Sequence, residues 1–365
     1  MTQGLTTGQE GIRIFRGLIG GESLASAHNR RAVSFHLQGR TNEAMEEYEK
    51  ALALDFHNAS ALNNLGYLFL NCGKIEEALP LLRLAAKIEP CYALARNNLG
   101  NAYLHLGELK EALSEYLEAA ALDQSYAMPH RNLALVYHLL QRTNEAIVEY
   151  QTYFRLAPTE TKDGDAHYNL GVMLEEEQRR EDAIAEYERA IADDPRHVKA
   201  LNNLGLIYFA QGKLDKATTF YERAIDVDPH FSLAQYNLGI AFAAQGEHQK
   251  AIEQFTKASQ TDPDNVQAVS NLGVMYSTTR RFAEAISVFE ELTTKQPEQP
   301  TLRFNLAVAY QGKGLRAKAR KEFQRVIELE PMQSRRALRA QSEIDKLTRG
   351  GKSTRKTRSK EPAKA

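Results

Sequence analysis

Eight asparagines recur along the chain at near-constant spacing: Asn64, Asn98, Asn132, Asn169, Asn203, Asn237, Asn271 and Asn305 follow one another by 34 residues, with one step of 37. A carboxamide carries both a donor and an acceptor, so a row of them can grip the N–H and C=O of any peptide backbone, whatever its sequence. Three residues after each asparagine stands Tyr67, Asn101, Leu135, Val172, Leu206, Ile240, Val274 or Val308. Residues three apart share one face of a helix, so the two sets form adjoining rows. An amide row beside a mainly apolar row suits an extended peptide, whose backbone the amides hold while alternate side chains are buried. A second reading stays open: the same amides could bond to neighbouring segments of this chain and serve its stacking. Against that, eight helical asparagines cost about 5 kcal/mol in helix propensity.

Other chemistry finds little support. The ten histidines are scattered, and His130 and His138, on one predicted helix, lack Cys or carboxylate partners at ligand spacing. Cys72 and Cys91 are the two cysteines, too few for a disulfide framework or a metal quartet. RGGKST at 349–354 has Lys346 where a phosphate loop needs its earlier glycine, and no strand precedes it. The sequence therefore predicts no enzyme, no cofactor, no metal and no small-molecule substrate.

The asparagines belong to a longer period. Ala32, Gly66, Gly100, Ala134, Gly171, Gly205, Gly239, Gly273 and Ala307 are each followed twelve residues on by an alanine, and four further on by Tyr, Phe or Leu. Pro closes most periods, at 90, 158, 195, 229, 263, 297 and 331. Within a period, apolar or small residues at positions 4, 7, 8 and 11 make one helical stripe, as Leu62, Leu65, Gly66 and Phe69 do. The asparagines take position 6, on the opposite face. The small residues at 8 and 20 let two helices approach closely beside the large residue at 24. Position 5 drifts between Asn, Arg, Tyr, Ser and Phe, which makes Asn63 incidental beside Asn64.

This period, with its small, aromatic and proline positions, resembles the tetratricopeptide repeat (TPR) family across most of the chain. The resemblance implies an all-α, right-handed superhelix of helical hairpins whose first helices line a concave groove. Nine repeats follow, at 25–58, 59–92, 93–126, 127–163, 164–197, 198–231, 232–265, 266–299 and 300–333. The amide row resembles the asparagine ladder in the TPR superhelix of O-GlcNAc transferase, although no catalytic domain follows the repeats here. The implied function is a protein–protein interaction scaffold binding extended peptide segments. Alternatives are a substrate-presenting subunit of a separate glycosyltransferase or other enzyme, and a ribosome or RNA adaptor.

The flanks are read separately. Residues 334–347 form a predicted capping helix with Ala337, Leu338, Gln341, Ile344 and Leu347 on one face, and 348–365 a basic disordered tail. Residues 334–365 carry eleven Lys and Arg against three acids, which leaves the rest acidic in a chain of net charge −1. An anionic partner is thereby expected for the tail alone. The Gly-rich segment 1–24 is expected to be disordered, with Ile12, Ile14, Phe15, Leu18 and Ile19 able to dock on the first repeat. No apolar run is long enough for a transmembrane segment, and Arg13 and Arg16 interrupt the only apolar patch near the start, so a cytoplasmic location is expected.

Overall fold

The computed structural model describes residues 23–157 and 161–355, with side chains through 348. The expectations for the Gly-rich start and for the last ten residues lie outside the described residues. Within them, all regular structure is helical. Hairpins are formed by α1 (Leu24–Leu37) with α2 (Thr41–Leu54), α3 (Ala59–Asn71) with α4 (Ile75–Ile88), and α5 (Ala93–Leu106) with α6 (Leu109–Leu122). Next come α7 (Ala127–Leu139) with α8 (Thr143–Leu156) and α9 (Gly164–Glu176) with α10 (Arg180–Asp193). These ten helices make the first of two compact halves, Met1–Pro195. The second half, Arg196–Ala365, holds α11 (Val198–Ala210) with α12 (Leu214–Val227) and α13 (Ser232–Ala244) with α14 (His248–Thr261). It continues with α15 (Val266–Thr278) and α16 (Phe282–Lys295), α17 (Pro300–Gly312) and α18 (Arg316–Leu329), and ends in α19 (Arg335–Arg355). Inside each half every hairpin packs on the next in sequence, as in a TPR solenoid.

Each hairpin closes on the small positions read from the sequence. The alanines at position 20, from Ala44 to Ala319, are fully buried. The large residue at position 24 lies flat across the first helix. A Cβ added to Gly100 would sit 2.6 Å from Tyr116 Cε1, and one added to Gly205 equally close to Tyr221. Where position 8 is glycine, the position-24 side chain has settled into the space a Cβ would take. The same ring in the first, fourth and ninth hairpins tolerates Ala32, Ala134 and Ala307, which are fully buried.

Position 4 departs from the expected apolar stripe. Across the hairpin from position 23 it makes His28–Glu47 at 2.7 Å, Arg96–Glu115 at 2.9 Å, His130–Glu149 at 2.6 Å, His167–Glu186 at 2.7 Å and Arg303–Glu322 at 2.7 Å. Where position 4 is Leu62 or Val269, apolar Leu81 or Val288 joins the same core cluster. The site lies at the rim of the hairpin core, where a polar pair keeps some water and an apolar pair gains burial.

The ends are built differently from the middle. At positions 7 and 10, buried Leu65 and Leu68 of α3 face the preceding hairpin, but α1 carries exposed Arg31 and Ser34 there. A polar outer face is what the first hairpin of a stack requires. At the other end α19 covers α18 with Ala337, Ala340 and Ile344, whereas Leu338 and Gln341, expected on that face, are exposed. The helix also runs eight residues past the expected stop at 347.

The first helix of every hairpin ends in a left-handed residue at position 15. It is Gly39, Gly73, Gly107, Gly212, Gly246 or Gly314 at φ of 72–82°, but Gln141, Gln178 and Arg280 at φ 61°. A side chain there costs about 1–2 kcal/mol relative to the right-handed form, a penalty glycine escapes. Gln141→Gly and Arg280→Gly are each expected to raise the thermal midpoint, by the equivalent of about 0.5–1 kcal/mol. Glycine at the helical, exposed Glu111 should lower it by about 1 kcal/mol. Circular dichroism melts of the three variants check the contrast.

Candidate functional site

The asparagine row is not an open ladder. Asn64 (0% exposed), Asn98 (1%), Asn132 (2%) and Asn237 (7%) are buried between successive first helices, while Asn169, Asn203, Asn271 and Asn305 are half-buried. The burial follows from a bond that recurs one residue beyond the period. Asn98 Nδ2 donates to Asn63 Oδ1 at 2.8 Å, Asn132 Nδ2 to Asn97 Oδ1 at 3.0 Å, and Asn237 Nδ2 to Asn202 Oδ1 at 2.9 Å. Asn64 Nδ2 reaches Asn29 Oδ1 at 3.4 Å, and Asn271 Nδ2 reaches the Tyr236 hydroxyl at 3.4 Å. Position 6 of one hairpin therefore donates to position 5 of the hairpin before it.

This overturns the reading of Asn63 as incidental. It is fully buried, accepts from Asn98, and donates to Asn64 Oδ1 at 3.1 Å. Position 5 seemed to drift because it asks only for an acceptor, which Asn and the Tyr hydroxyl both supply. The usable signal was the 35-residue spacing between unlike positions, invisible when each column is read alone. The tyrosine at position 24 also reaches this layer, its ring crossing the first helix at the small residue of position 8. Tyr116 donates to Asn101 Oδ1 at 2.7 Å, and Asn132 Nδ2 also donates to that oxygen at 3.1 Å. Burial holds the Tyr116 and Tyr150 hydroxyls above their ordinary pKa.

One hairpin breaks the pattern. Position 5 of α7 is Arg131, which turns away to Asp163 at 2.7 Å. The Tyr153 hydroxyl donates to the same carboxylate at 2.9 Å, and Ala166 N donates to it at 3.0 Å as the α9 cap. Asp163 caps α9 at the end of the lengthened fourth repeat, so bulky Tyr153, Arg131 and this cap form one buried network. Asn169, lacking an asparagine partner there, donates to the Tyr150 hydroxyl at 3.2 Å.

The flanking row is more accessible. Tyr67, Asn101, Leu135, Val172, Ile240 and Val274 are half-buried, while Leu206 and Val308 are exposed at 39% and 37%. Tyr67 stacks on His36 with ring centroids 5.9 Å apart. Among the described residues no group of His, Cys, Asp or Glu is arranged to hold a metal ion. No described helix is long and apolar enough to cross a membrane. Both cysteines are free and exposed.

Removing a donor from the buried amide pairs leaves its acceptor unsatisfied, which costs about 1–3 kcal/mol. Asn98→Ala is accordingly expected to lower the thermal midpoint, whereas Asn305→Ala should leave it nearly unchanged; parallel melts of the two variants decide. Burial would by itself raise the Asp163 carboxyl, but the Arg131 guanidinium and the Ala166 N–H hold it below its ordinary value. Its contribution is then complete above the unfolded carboxylate pKa and is lost as pH falls through the lower folded value. Stability of the wild-type chain should drop below about pH 4, and Asp163→Asn should flatten that drop in acid titrations followed by circular dichroism.

Family models for the tetratricopeptide repeat match residues 59–90, 198–231, 217–266, 236–300 and 278–344, and a model described as TPR repeat matches 32–73, 100–141 and 173–212. No curated protein sequence matches the chain. Among solved structures, the C-terminal part of a TPR repeat-containing protein from Cytophaga hutchinsonii is 17% identical, with 66% of this chain and 97% of that one covered and a TM-score of 0.56. YrrB, described as a TPR protein with an unusual peptide-binding site, is 26% identical over 51% of this chain and 95% of its own, with a TM-score of 0.46. MamA is 26% identical over 46% and 97%, with a TM-score of 0.43. With repeat matches spread from residue 32 to 344 and the helical hairpins that each demands, the chain belongs to the tetratricopeptide repeat family.

Proposed function

We propose that the chain is a protein–protein interaction scaffold that holds extended peptide segments along the inner faces of its first helices. Binding is an equilibrium of many weak contacts, without covalent chemistry. The observation that carries this reading is the accessible apolar edge of Leu206, Ile240, Val274 and Val308 beside half-buried amides. Leu206 and Val308 keep over a third of their surface in water although a helical inner face could be polar throughout. Such a row favours a partner that removes it from solvent.

The roles of the asparagines divide on this reading. Asn64, Asn98, Asn132 and Asn237 stack the hairpins and hold the accessible row in line, because their donors are already engaged. The half-buried Asn169, Asn203, Asn271 and Asn305 border the peptide path. In the first half, Tyr67, Asn101, Leu135 and Val172 take the corresponding positions.

The test places a photocrosslinking residue at Leu206, Ile240 or Val308, and in a control at the exposed Glu253 of α14. Crosslinked partner segments should come from the three inner positions, and Leu206→Asp with Ile240→Asp should reduce capture at least tenfold with little change in the thermal midpoint. Equal capture from Glu253, or capture indifferent to the two aspartates, would remove the reading.

A further inference from the structure

One hairpin lacks the rim pair that the others share. Positions 4 and 23 hold either an acid facing His or Arg or two apolar residues, except in α13 and α14, where they are Gln235 and Gln254. The two glutamines do not meet. Gln235 Nε2 donates to Pro229 O at 2.7 Å, and its Oε1 accepts from Thr261 Oγ1 at 3.2 Å. Gln254 is left nine-tenths buried, and among the described residues its amide makes no hydrogen bond. That amide is not sealed in the core. It lines a cleft of about 280 Å³ between α12 and α14, with α13 beneath.

The cleft has an apolar floor and an acidic rim. Ile225, Leu238 and Phe242 form the floor. Glu222 and Asp226 stand one turn apart on α12, and Lys250, Glu253 and Lys257 line the α14 side. Neither lysine is at liberty. Lys250 binds Glu247 at 2.5 Å with its ammonium 5.1 Å from the centre of the Phe242 ring, and Lys257 binds Glu253 at 2.7 Å. Glu222 adds its negative field at Lys250. With Glu247 counted, four carboxylates share two ammonium groups, and Asp226 has no ion pair among the described residues.

These features select the occupant. An anion would meet an excess of negative charge, and an uncharged side chain would cover Asp226 without giving it a partner. A cation on an apolar stem answers both floor and rim. Arginine does so better than lysine, because its planar fork can bond a carboxylate and an amide oxygen at once and it sheds water more readily. Its stem lies on apolar surface while its head stays polar. Glu222, Asp226 and Glu253 are exposed, so the backbone that carries the arginine stays outside the cleft.

We propose that the cleft between α12 and α14 receives an arginine side chain of a partner protein, its guanidinium shared between the Asp226 carboxylate and the Gln254 amide oxygen. This contact is built on second helices and does not depend on the inner-face reading.

The experiment uses the full chain with labelled isoleucine and leucine methyl groups, and capped glycine–serine peptides carrying one arginine, citrulline, lysine or glutamate. The arginine peptide is expected to shift the methyl resonances of Ile225 and Leu238 and to leave Ile240 unmoved. Citrulline, which keeps the shape without the charge, and glutamate should bind at least tenfold more weakly, and lysine about threefold. Asp226→Asn should weaken the arginine peptide at least tenfold with an unchanged thermal midpoint. Gln254→Leu should weaken it about threefold and raise the midpoint, because apolar Leu81 and Val288 suit the same place in other hairpins. Equal binding of the citrulline or glutamate peptide, a lower midpoint for Gln254→Leu, or no shift at millimolar concentration overturns the assignment. N-acetylargininamide binding tenfold more tightly than the arginine peptide would give the cleft to a small guanidinium compound and overturn the partner. The Leu206→Asp, Ile240→Asp variant should bind the arginine peptide as the wild type does, so either reading can fail while the other stands. Glu253 borders the cleft, so inner-face crosslinking is run with N-acetylargininamide present, which should abolish capture from Glu253 and spare Leu206, Ile240 and Val308.

Discussion

A large side chain lying across a glycine or alanine of the first helix is the contact on which the rest of this molecule depends. Tyr116 over Gly100 and Tyr221 over Gly205 bring the two helices of a hairpin closer than ordinary side chains would allow. That closeness buries the position-20 alanines completely and carries the Tyr116 hydroxyl through to the inner layer, where it meets Asn101. The inner layer in turn holds the amide pairs that join one hairpin to the next. Packing within a hairpin and polar bonding between hairpins are therefore consequences of one steric condition. Stability of such an array is a sum of intrinsic and nearest-neighbour terms, and the buried amide pairs belong to the neighbour term.

Much of this was legible in the sequence, because a period of 34 residues repeats each demand several times. The hairpins, the close-packing glycines and the position-24 rings all followed from single columns of that period. What was missed lay between columns. Asn63 was dismissed because its column varies, yet its bond to Asn98 joins two different positions of successive repeats. The stripe at position 4 was read from Leu62, a repeat where the pair is apolar. His28 and Arg96 solve the same site with a glutamate. The extent of α19 was beyond reach for another reason. Its last turns are rich in cations and contain two glycines, a composition that favours disorder, and a helix there draws on context that propensity does not contain.

The asparagine rows show how one residue type can serve two ends in one protein. A carboxamide buried against another carboxamide is satisfied and silent toward ligands. Among the described residues, the same group on α17, where the neighbouring positions are Ser270 and Phe289, has no hydrogen bond. What separates the two fates is the neighbour's chemistry, since both kinds sit at the same position of the repeat and on the same helical face. Occupancy of position 5 thus decides how far position 6 is engaged in joining one hairpin to the next.

The variation at positions 4 and 23 bears on how a chain of near-identical parts assembles correctly. Hairpins with one period and one set of small residues could trade second helices, within a molecule or between copies, without disturbing the ring-over-helix contact. The rim pair makes such trades unequal. Exchanging the partner of Leu62 for that of Arg96 would set Glu115 against an apolar side chain and leave Arg96 facing Leu81. An ion left without its counterpart in a partly buried site is costly. Where an apolar rim neighbours an Arg–Glu rim, as the second hairpin neighbours the third, the mismatch gives the two hairpins distinct identities and discourages swapped or slipped forms that a uniform array would admit.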